Sequence, residues 1–125
     1  MNTPFTTHGA FSWTELTTTD PKAARDFYGK LLGWKFQDMD VGTGKYTVIN
    51  VGEGGVGGIT TVPPNAAGMS PAWGSYITVD DVDKVAGLGG RVLLASMDIP
   101  TIGRFATIMD PQGAMISLIT YAMKN

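Results

Sequence analysis

Cysteine is absent from this chain of 125 residues. Its absence excludes disulfide bonds, thiolate metal sites and a cysteine nucleophile. Histidine occurs once, at His8, so one chain cannot supply the two imidazoles of a two-histidine, one-carboxylate iron site. Catalytic zinc sites also usually need several histidines or a mixture of histidine and glutamate. The composition therefore favours a protein without a transition metal.

Charge is also scarce, because only 16% of the residues are charged and the net charge is −2. Proteins that bind nucleic acid need a basic patch, so we expect no nucleic-acid partner. No apolar stretch approaches the about 20 residues that span a bilayer, so we expect no membrane partner. Residues 1–10 lack the basic and apolar regions of a secretory signal. Together these absences predict a cytoplasmic protein.

Glycine is abundant, with 17 residues, and it separates short runs rich in β-branched residues. This pattern is typical of many short strands joined by tight turns. Two halves of the chain also resemble each other. The segment Phe11–Asp20, a strand pattern ending at a helix cap, returns as Trp73–Asp81, and the strand pattern Lys45–Asn50 returns as Arg104–Met109.

Each half predicts one module with the order strand, helix and three strands. Module one comprises residues 10–62 and module two residues 72–122, with a linker rich in proline and glycine at 63–71. Short repeats often bury their apolar faces only against each other. We therefore expect one α+β domain over 1–125, in which two βαβββ modules related by a pseudo-twofold axis form curved mixed sheets around a cleft.

The helix of module one has clear ends. Asp20 suits the N-cap, Pro21 the first helical position and Gly33 the C-terminal end. A stripe of apolar residues at helical spacing predicts that this helix lies on a sheet. The stripe consists of Ala23, Ala24, Phe27, Tyr28, Leu31 and Leu32.

The helix of module two is shorter by more than one turn, because Gly89 follows soon after the cap at Asp81. A helix this short is marginal alone. We expect it to leave apolar sheet surface uncovered, which favours a partner subunit and hence a homodimer.

These modules resemble the vicinal oxygen chelate superfamily, which contains glyoxalase I, extradiol dioxygenases and the bleomycin-resistance proteins. The similarity is greatest to an uncharacterised branch related to lactoylglutathione lyase, and it covers about residues 10–121. The matching segments are Asp20, Phe27-Tyr28, Leu32–Trp34, Phe11–Thr19, Val79–Asp83, Met97–Pro100, Gly103–Ala106 and Asp110–Ala114. The resemblance implies the two-module fold and a homodimer.

Metal-using members of that superfamily carry histidine, glutamine or glutamate ligands at four places. The resemblance places these at Trp13, Gly58, Gly74 and Ser117. None of the four is such a ligand, so the resemblance implies a member that works without the metal. We expect no metal and no cofactor.

Other motifs have structural interpretations. Asp80, Asp81 and Asp83 at the start of the second helix favour helix capping, with an all-carboxylate Mg²⁺ or Ca²⁺ site as the alternative. Residues 52–57 fit the pattern G-x-G-x-x-G, but a strand follows instead of the helix that a dinucleotide site requires, so we predict a hairpin turn. His8 lies in a polar N-terminal segment, where we expect no special role.

Glu15 is the candidate catalytic residue. If Trp13 faces the cleft, Glu15 does too, because side chains alternate along a strand. Burial in an apolar cup would raise the pKa of Glu15 and make this carboxyl a candidate general acid or base. The alternative is a structural glutamate, paired for example with Arg104.

The predicted ligand contacts are Trp13, Glu15, Tyr76, Arg104, Phe105 and Ser117. The ring of Trp13 suits an aromatic or cationic ligand. Arg104 would be the polar anchor, since a guanidinium suits carboxylates, or would instead pair with Asp98 at the rim.

Three functions fit this pattern. The leading hypothesis is a metal-independent protein that binds a small molecule in the cleft between the modules, as the resemblance to bleomycin-resistance proteins implies. The first alternative is a lyase or isomerase without a transition metal, in which Glu15 moves a proton and Arg104 or Tyr76 stabilises an oxyanion. The second alternative is an interaction module without a ligand.

Overall fold

A computed structural model describes residues 3–40, 45–52, 54–62, 70–86, 91–99 and 102–122. Four of these are described by their backbone alone, namely Lys45, Val85, Ala86 and Leu94. The chain forms two compact units. We name residues 13–74 the module-one unit, and residues 1–12 with 75–125 the module-two unit.

The order of elements is strand, helix and three strands, twice. The elements are β1 (Phe11–Thr18), α1 (Pro21–Leu32), β2 (Lys35–Asp40), β3 (Lys45–Val51), β4 (Gly54–Thr61), β5 (Ala72–Thr78), α2 (Val82–Ala86), β6 (Arg91–Ile99), β7 (Gly103–Met109) and β8 (Met115–Tyr121). The predicted α+β fold class with two βαβββ modules is confirmed. Most of the predicted linker, 63–69, lies outside the described residues.

The two modules have the same sheet topology. The strands of module one are hydrogen-bonded in the order β2-β3-β4-β1, and those of module two in the order β6-β7-β8-β5. In each module the first strand pairs in parallel with the last, and the other pairs are antiparallel. This equivalence is the structural counterpart of the sequence repeat. Of the glycine-rich motif at 52–57, Gly52 lies in a turn, whereas residues 54–57 belong to β4, so the predicted hairpin turn is limited to the start of the motif and a strand follows, not a helix.

The ends of α1 are those that the sequence predicts. The Asp20 carboxylate accepts a hydrogen bond from the Ala23 amide at 3.0 Å. Gly33 adopts a left-handed conformation with φ of 73°, and its amide donates to the carbonyl of Gly29. Such caps satisfy backbone groups that a helix end leaves unpaired. Neither helix in the described ranges is long and apolar enough to cross a bilayer.

The core of the module-one unit lies between α1 and one face of the sheet. It comprises Leu16, Ile49 and Ile59, with Ala24, Tyr28, Trp34 and Phe36 packed around them. Only part of the predicted helical stripe takes part, because Phe27, Leu31 and Leu32 are exposed. Successive helical residues are separated by about 100°, so a stripe as wide as this one extends beyond the face that a sheet covers.

The core of the module-two unit comprises Val79, Val82, Ala106 and Leu118, with Ile77 and Ile108 packed against it. The short α2 therefore packs against the sheet of module two through Val82, which is 2% exposed. Its cap is Asp81, whose carboxylate accepts a hydrogen bond from the Lys84 amide at 3.2 Å, as the capping interpretation predicts. Exposed apolar side chains lie instead on strand β6, namely Val92, Leu93 and Met97.

Candidate functional site

Three side chains on the face of module one opposite α1 form a hydrogen-bonded chain. The indole N–H of Trp13 donates to the hydroxyl of Tyr46 at 2.9 Å. That hydroxyl donates in turn to Oε2 of Glu15 at 2.8 Å. All three side chains are half-buried, so water or a ligand can reach them while the carboxylate is held in place. We name this group the Trp13–Tyr46–Glu15 network.

Strand alternation explains which side chains reach this face. On β1, Leu16 belongs to the core beneath α1, so Trp13 and Glu15 point to the opposite face. On β3, Ile49 likewise belongs to the core, and Tyr46 points away from it. The prediction that Trp13 and Glu15 share a face is confirmed. Tyr46 was not among the predicted site residues. The sequence does not fix how β3 pairs with β4 and β4 with β1, and this pairing is what brings Tyr46 near Glu15.

Gly58 provides the space for the hydroxyl of Tyr46. This glycine lies on β4 directly beside Glu15 in the parallel pairing with β1. A Cβ atom built on Gly58 would overlap the hydroxyl and the ring of Tyr46. The phenol therefore fills the volume in which any other side chain at position 58 would stand.

The positions that the resemblance assigns to metal ligands do not fit a transition metal. Trp13 offers only an indole N–H, which donates and does not ligate. Gly58 and Gly74 have no side chain, and the hydroxyl of Ser117 is hydrogen-bonded to Thr107 at 2.8 Å. Within the ranges that the structure covers, no three histidine or acidic side chains group together as metal ligands.

A second group of predicted residues meets on the module-two face opposite α2. The rings of Tyr76 and Phe105 are 6.0 Å apart, and Tyr76 is in register with Ser117 on the neighbouring strand. Their chain neighbours Ala106 and Leu118 lie in the core with α2, so alternation directs Phe105 and Ser117 to the other side. The structure thus brings Tyr76, Phe105 and Ser117 together.

Arg104 does not join this group. Its neighbour Phe105 points to one face of β7, so Arg104 points to the other. There the guanidinium binds the carboxylate of Asp83 at 3.1 Å and that of Asp98 at 3.0 Å. Of the two roles considered for Arg104, the structure shows the pairing with Asp98. The prediction placed Arg104 and Phe105 at the same ligand, but adjacent residues of a strand point to opposite faces of the sheet.

These contacts predict a pH effect on stability. Hydrogen bonds from Ser96 and from Arg104 hold the pKa of Asp83 below its ordinary value of 3.8. A carboxyl with a lowered folded-state pKa stabilises the fold above that ordinary value, and the contribution is lost as the pH falls through the folded-state pKa. We expect Asp83→Asn to unfold at a lower temperature than the unchanged protein at neutral pH, with a difference that closes in acid. An equal difference in unfolding temperature at neutral and at acid pH would contradict this role of Asp83.

His8 has a structural role that the sequence did not predict. Its Nδ1 accepts a hydrogen bond from the amide of Asp80 at 2.9 Å. The adjacent backbone of Gly9 and Ala10 pairs with Thr78 at 2.7 and 2.8 Å. The N-terminal segment is therefore fixed to the module-two unit just before α2. Contacts between residues so distant in the chain leave no local pattern in the sequence.

Known proteins resemble the chain over most of its length. The sequence model of the "Glyoxalase/Bleomycin resistance protein/Dioxygenase superfamily" matches residues 10–118. The chain is 42% identical over 117 residues to "Putative glyoxylase CFP32" of Mycobacterium bovis, a match that covers 88% of this chain and 45% of that protein. It is 32% identical over 127 residues to "Anthracycline biosynthesis protein DnrV" of Streptomyces peucetius, covering 88% and 46%. The chain spans about half the length of these curated relatives.

Solved structures share the fold at lower identity. Methylmalonyl-CoA epimerase from Mycobacterium tuberculosis superimposes with a TM-score of 0.65 at 16% identity, covering 92% of this chain and 89% of that chain. A hypothetical protein from Bacillus halodurans gives a TM-score of 0.66 at 14% identity, covering 95% and 99%. At these identities the similarity shows the fold alone.

Proposed function

Because the chain belongs to the Glyoxalase/Bleomycin resistance protein/Dioxygenase superfamily, we propose that it binds a small organic molecule, without a metal, on the open face of module one. The Trp13–Tyr46–Glu15 network carries this proposal. It combines an aromatic ring, a hydroxyl and a carboxylate at the place where metal-using members are expected to hold their ion. The mismatch of the donor set with a metal supports the metal-independent form of the proposal.

The network is suited to binding because its groups are already ordered. The hydroxyl of Tyr46 both accepts from Trp13 and donates to Glu15, so neither side chain needs to be fixed when a ligand arrives. Such preorganisation lowers the entropic cost of binding. The ring of Trp13 suits a planar group, and the carboxylate of Glu15 suits a hydrogen-bond donor or a cation.

The module-two group is a further proposed contact region. Phe105 and Ser117 are half-buried and offer an aromatic ring and a hydroxyl, which suit a mostly apolar ligand. Tyr76 is only 8% exposed and supports the ring of Phe105 from beneath the surface. Arg104 is omitted from the proposed contacts, because Asp83 and Asp98 engage its guanidinium on the other face.

The test is thermal unfolding of chelator-treated protein in the presence of planar aromatic compounds, cationic dyes and short keto acids. A ligand that binds only the folded state stabilises it by about 2.7 kcal/mol at a hundredfold excess over Kd. We expect at least one of these organic classes to raise the unfolding temperature and to change the tryptophan fluorescence. No response to any class would instead favour an interaction module without a ligand.

A second candidate function is proton transfer by Glu15, as a lyase or isomerase without a transition metal. The observation that favours it is the hydrogen bond from Tyr46, which fixes the carboxylate as a general acid or base requires. One relative also carries the name glyoxylase. The assay is deuterium exchange from heavy water into carbons next to the carbonyl of small keto acids. Deuterium exchange that disappears in Glu15→Gln would establish this function. No exchange by the unchanged protein would contradict it, and binding would then be the remaining proposal.

A further inference from the structure

Residues 3–10 cover one end of the module-two face that carries the second proposed contact region. We name this segment the N-terminal strap. The hydroxyl of Thr78 donates to the carbonyl of Pro4 at 2.5 Å, and the ring of Phe5 packs edge-on against that of Tyr121, with centroids 5.1 Å apart. Thr78 is only 4% exposed, so the strap shields this end of the face from solvent.

Strand register places the strap directly beside the contact region. Thr78 pairs with Ile119, and Ile119 pairs with Phe105, which makes one row of side chains across β5, β8 and β7. Tyr76 and Ser117 form the neighbouring row, about 7 Å away along the strands. Alternation directs both rows to the face opposite α2. The strap therefore borders the contact region on the side of Ile119.

The strap has its own internal hydrogen bonds but little buried surface. The carbonyl of Thr3 accepts from the amide of Thr6 at 3.1 Å and from the hydroxyl of Thr7 at 2.7 Å. Phe5 is half-buried, whereas residues 6–9 are exposed. Segments with few buried apolar contacts and exposed hydrogen bonds open locally as small cooperative units. The strap has the properties of such a unit.

Backbone amides beside the strap distinguish its attachment from the pairing of the sheet. The amide of Thr78 donates to the carbonyl of Ala10 at 2.8 Å, and the amide of Asp80 donates to Nδ1 of His8 at 2.9 Å. The amide of Val79, which lies between them, donates instead to a carbonyl of β8 at 2.9 Å. Three successive amides thus depend in turn on the strap, on the sheet and on the strap.

We propose that the N-terminal strap opens as a unit and gates the module-two end of the ligand site, an inference that rests on the proposed function. With the strap closed, the contact region ends at Phe105 and Ser117. With the strap open, its surface extends across Ile119, which is 4% exposed in the closed state, toward Tyr121. The open region takes an elongated, mostly apolar ligand, whereas a short ligand binds in either state. A ligand that needs the open state has its apparent Kd raised by the inverse of the open fraction.

The first test is hydrogen–deuterium exchange of single amides in the full chain without ligand, measured by NMR. We expect the amides of Thr78 and Asp80 to be protected equally, and at least about tenfold less than that of Val79. His8→Ala should speed exchange of both by about 2- to 10-fold, which is the effect of one lost hydrogen bond. His8→Asn, whose side-chain carbonyl accepts a hydrogen bond, should restore the original rates. Equal protection of Thr78 and Val79, or faster exchange of Asp80 alone in His8→Ala, would overturn opening as a unit.

The second test couples the strap to binding, with 2-naphthol as the short probe and 6-phenyl-2-naphthol as the long one. Phe5→Ser removes the ring that packs on Tyr121, and the control Phe11→Ser changes a residue that is 71% exposed on β1, outside the strap. We expect Phe5→Ser to bind the long probe at least about fivefold more tightly, up to the inverse of the open fraction that exchange at Thr78 gives. Affinity for the short probe should be unchanged in both variants.

The outcomes separate the gate from the site itself. Binding of the short probe without a gain for the long probe in Phe5→Ser would overturn the gate and leave the proposed function standing. An equal gain for both probes, or a gain in Phe11→Ser, would also overturn the gate. Failure of both probes to bind any of the three proteins would overturn the gate together with the module-two contact region.

Discussion

Gly58→Ala is expected to destabilise the protein by about 1–3 kcal/mol, since adding atoms to a filled space forces neighbours to move. Here the added Cβ would overlap both the hydroxyl and the ring of Tyr46. Moving the terminal hydroxyl alone cannot relieve an overlap with the ring, so the whole side chain of Tyr46 must move. The unfolding midpoint should fall by about 3–15 °C. Because Tyr46 must shift, its hydrogen bonds to Trp13 and Glu15 should weaken as well.

Gly74→Ala is the matched control for this prediction. A Cβ on Gly74 would have no heavy atom within 4 Å, so the free energy of unfolding should change by no more than about 0.5 kcal/mol. The double variant Gly58→Ala with Tyr46→Ala should cost less than the sum of its parts, because removing the phenol frees the space. Equal losses in the free energy of unfolding for Gly58→Ala and Gly74→Ala would contradict the packing of Tyr46 against Gly58.

Trp13→Ala is expected to lower the affinity for the organic ligand by about 10- to 100-fold. The change removes both the aromatic surface and the hydrogen bond that holds Tyr46. A hydrogen bond between neutral groups contributes about 0.5–1.5 kcal/mol and an aromatic contact about another 0.5–1.5 kcal/mol, and about 1.4 kcal/mol corresponds to tenfold in Kd. Trp13→Phe keeps an aromatic ring without the indole N–H, so its loss should be intermediate. Calorimetric titration measures both.

Trp73→Ala controls for the loss of an indole elsewhere. Trp73 packs on Tyr28 and Trp34, away from the Trp13–Tyr46–Glu15 network, so its removal should leave the ligand affinity unchanged. An affinity that falls with Trp73→Ala but not with Trp13→Ala would place the ligand elsewhere on the protein.

Local patterns in the sequence predicted most of the fold. Asp20, Pro21 and Gly33 act within one helical turn, and each of them marks an end of α1 as expected. Alternation along β1 correctly placed Trp13 and Glu15 on one face, because it depends only on neighbouring residues.

Long-range pairing was not predictable in the same way. Tyr46 reaches Glu15 only through the register of three strands, and His8 reaches Asp80 across most of the chain. Phe27 belongs to a helical stripe that is wider than the sheet can cover, and the sequence alone does not say which part of the stripe is buried. That the ligand lies in a cleft between the modules stays a prediction.

The most direct test of a metal-independent site compares ligand affinity with and without metal. The compound found by the unfolding assay is titrated into chelator-treated protein and into protein supplied with Zn²⁺, Fe²⁺ or Mn²⁺. We expect the same Kd in every case, because the positions implied for metal ligands hold Trp13, two glycines and Ser117. Binding that is lost in chelator and restored by one of these ions would contradict it.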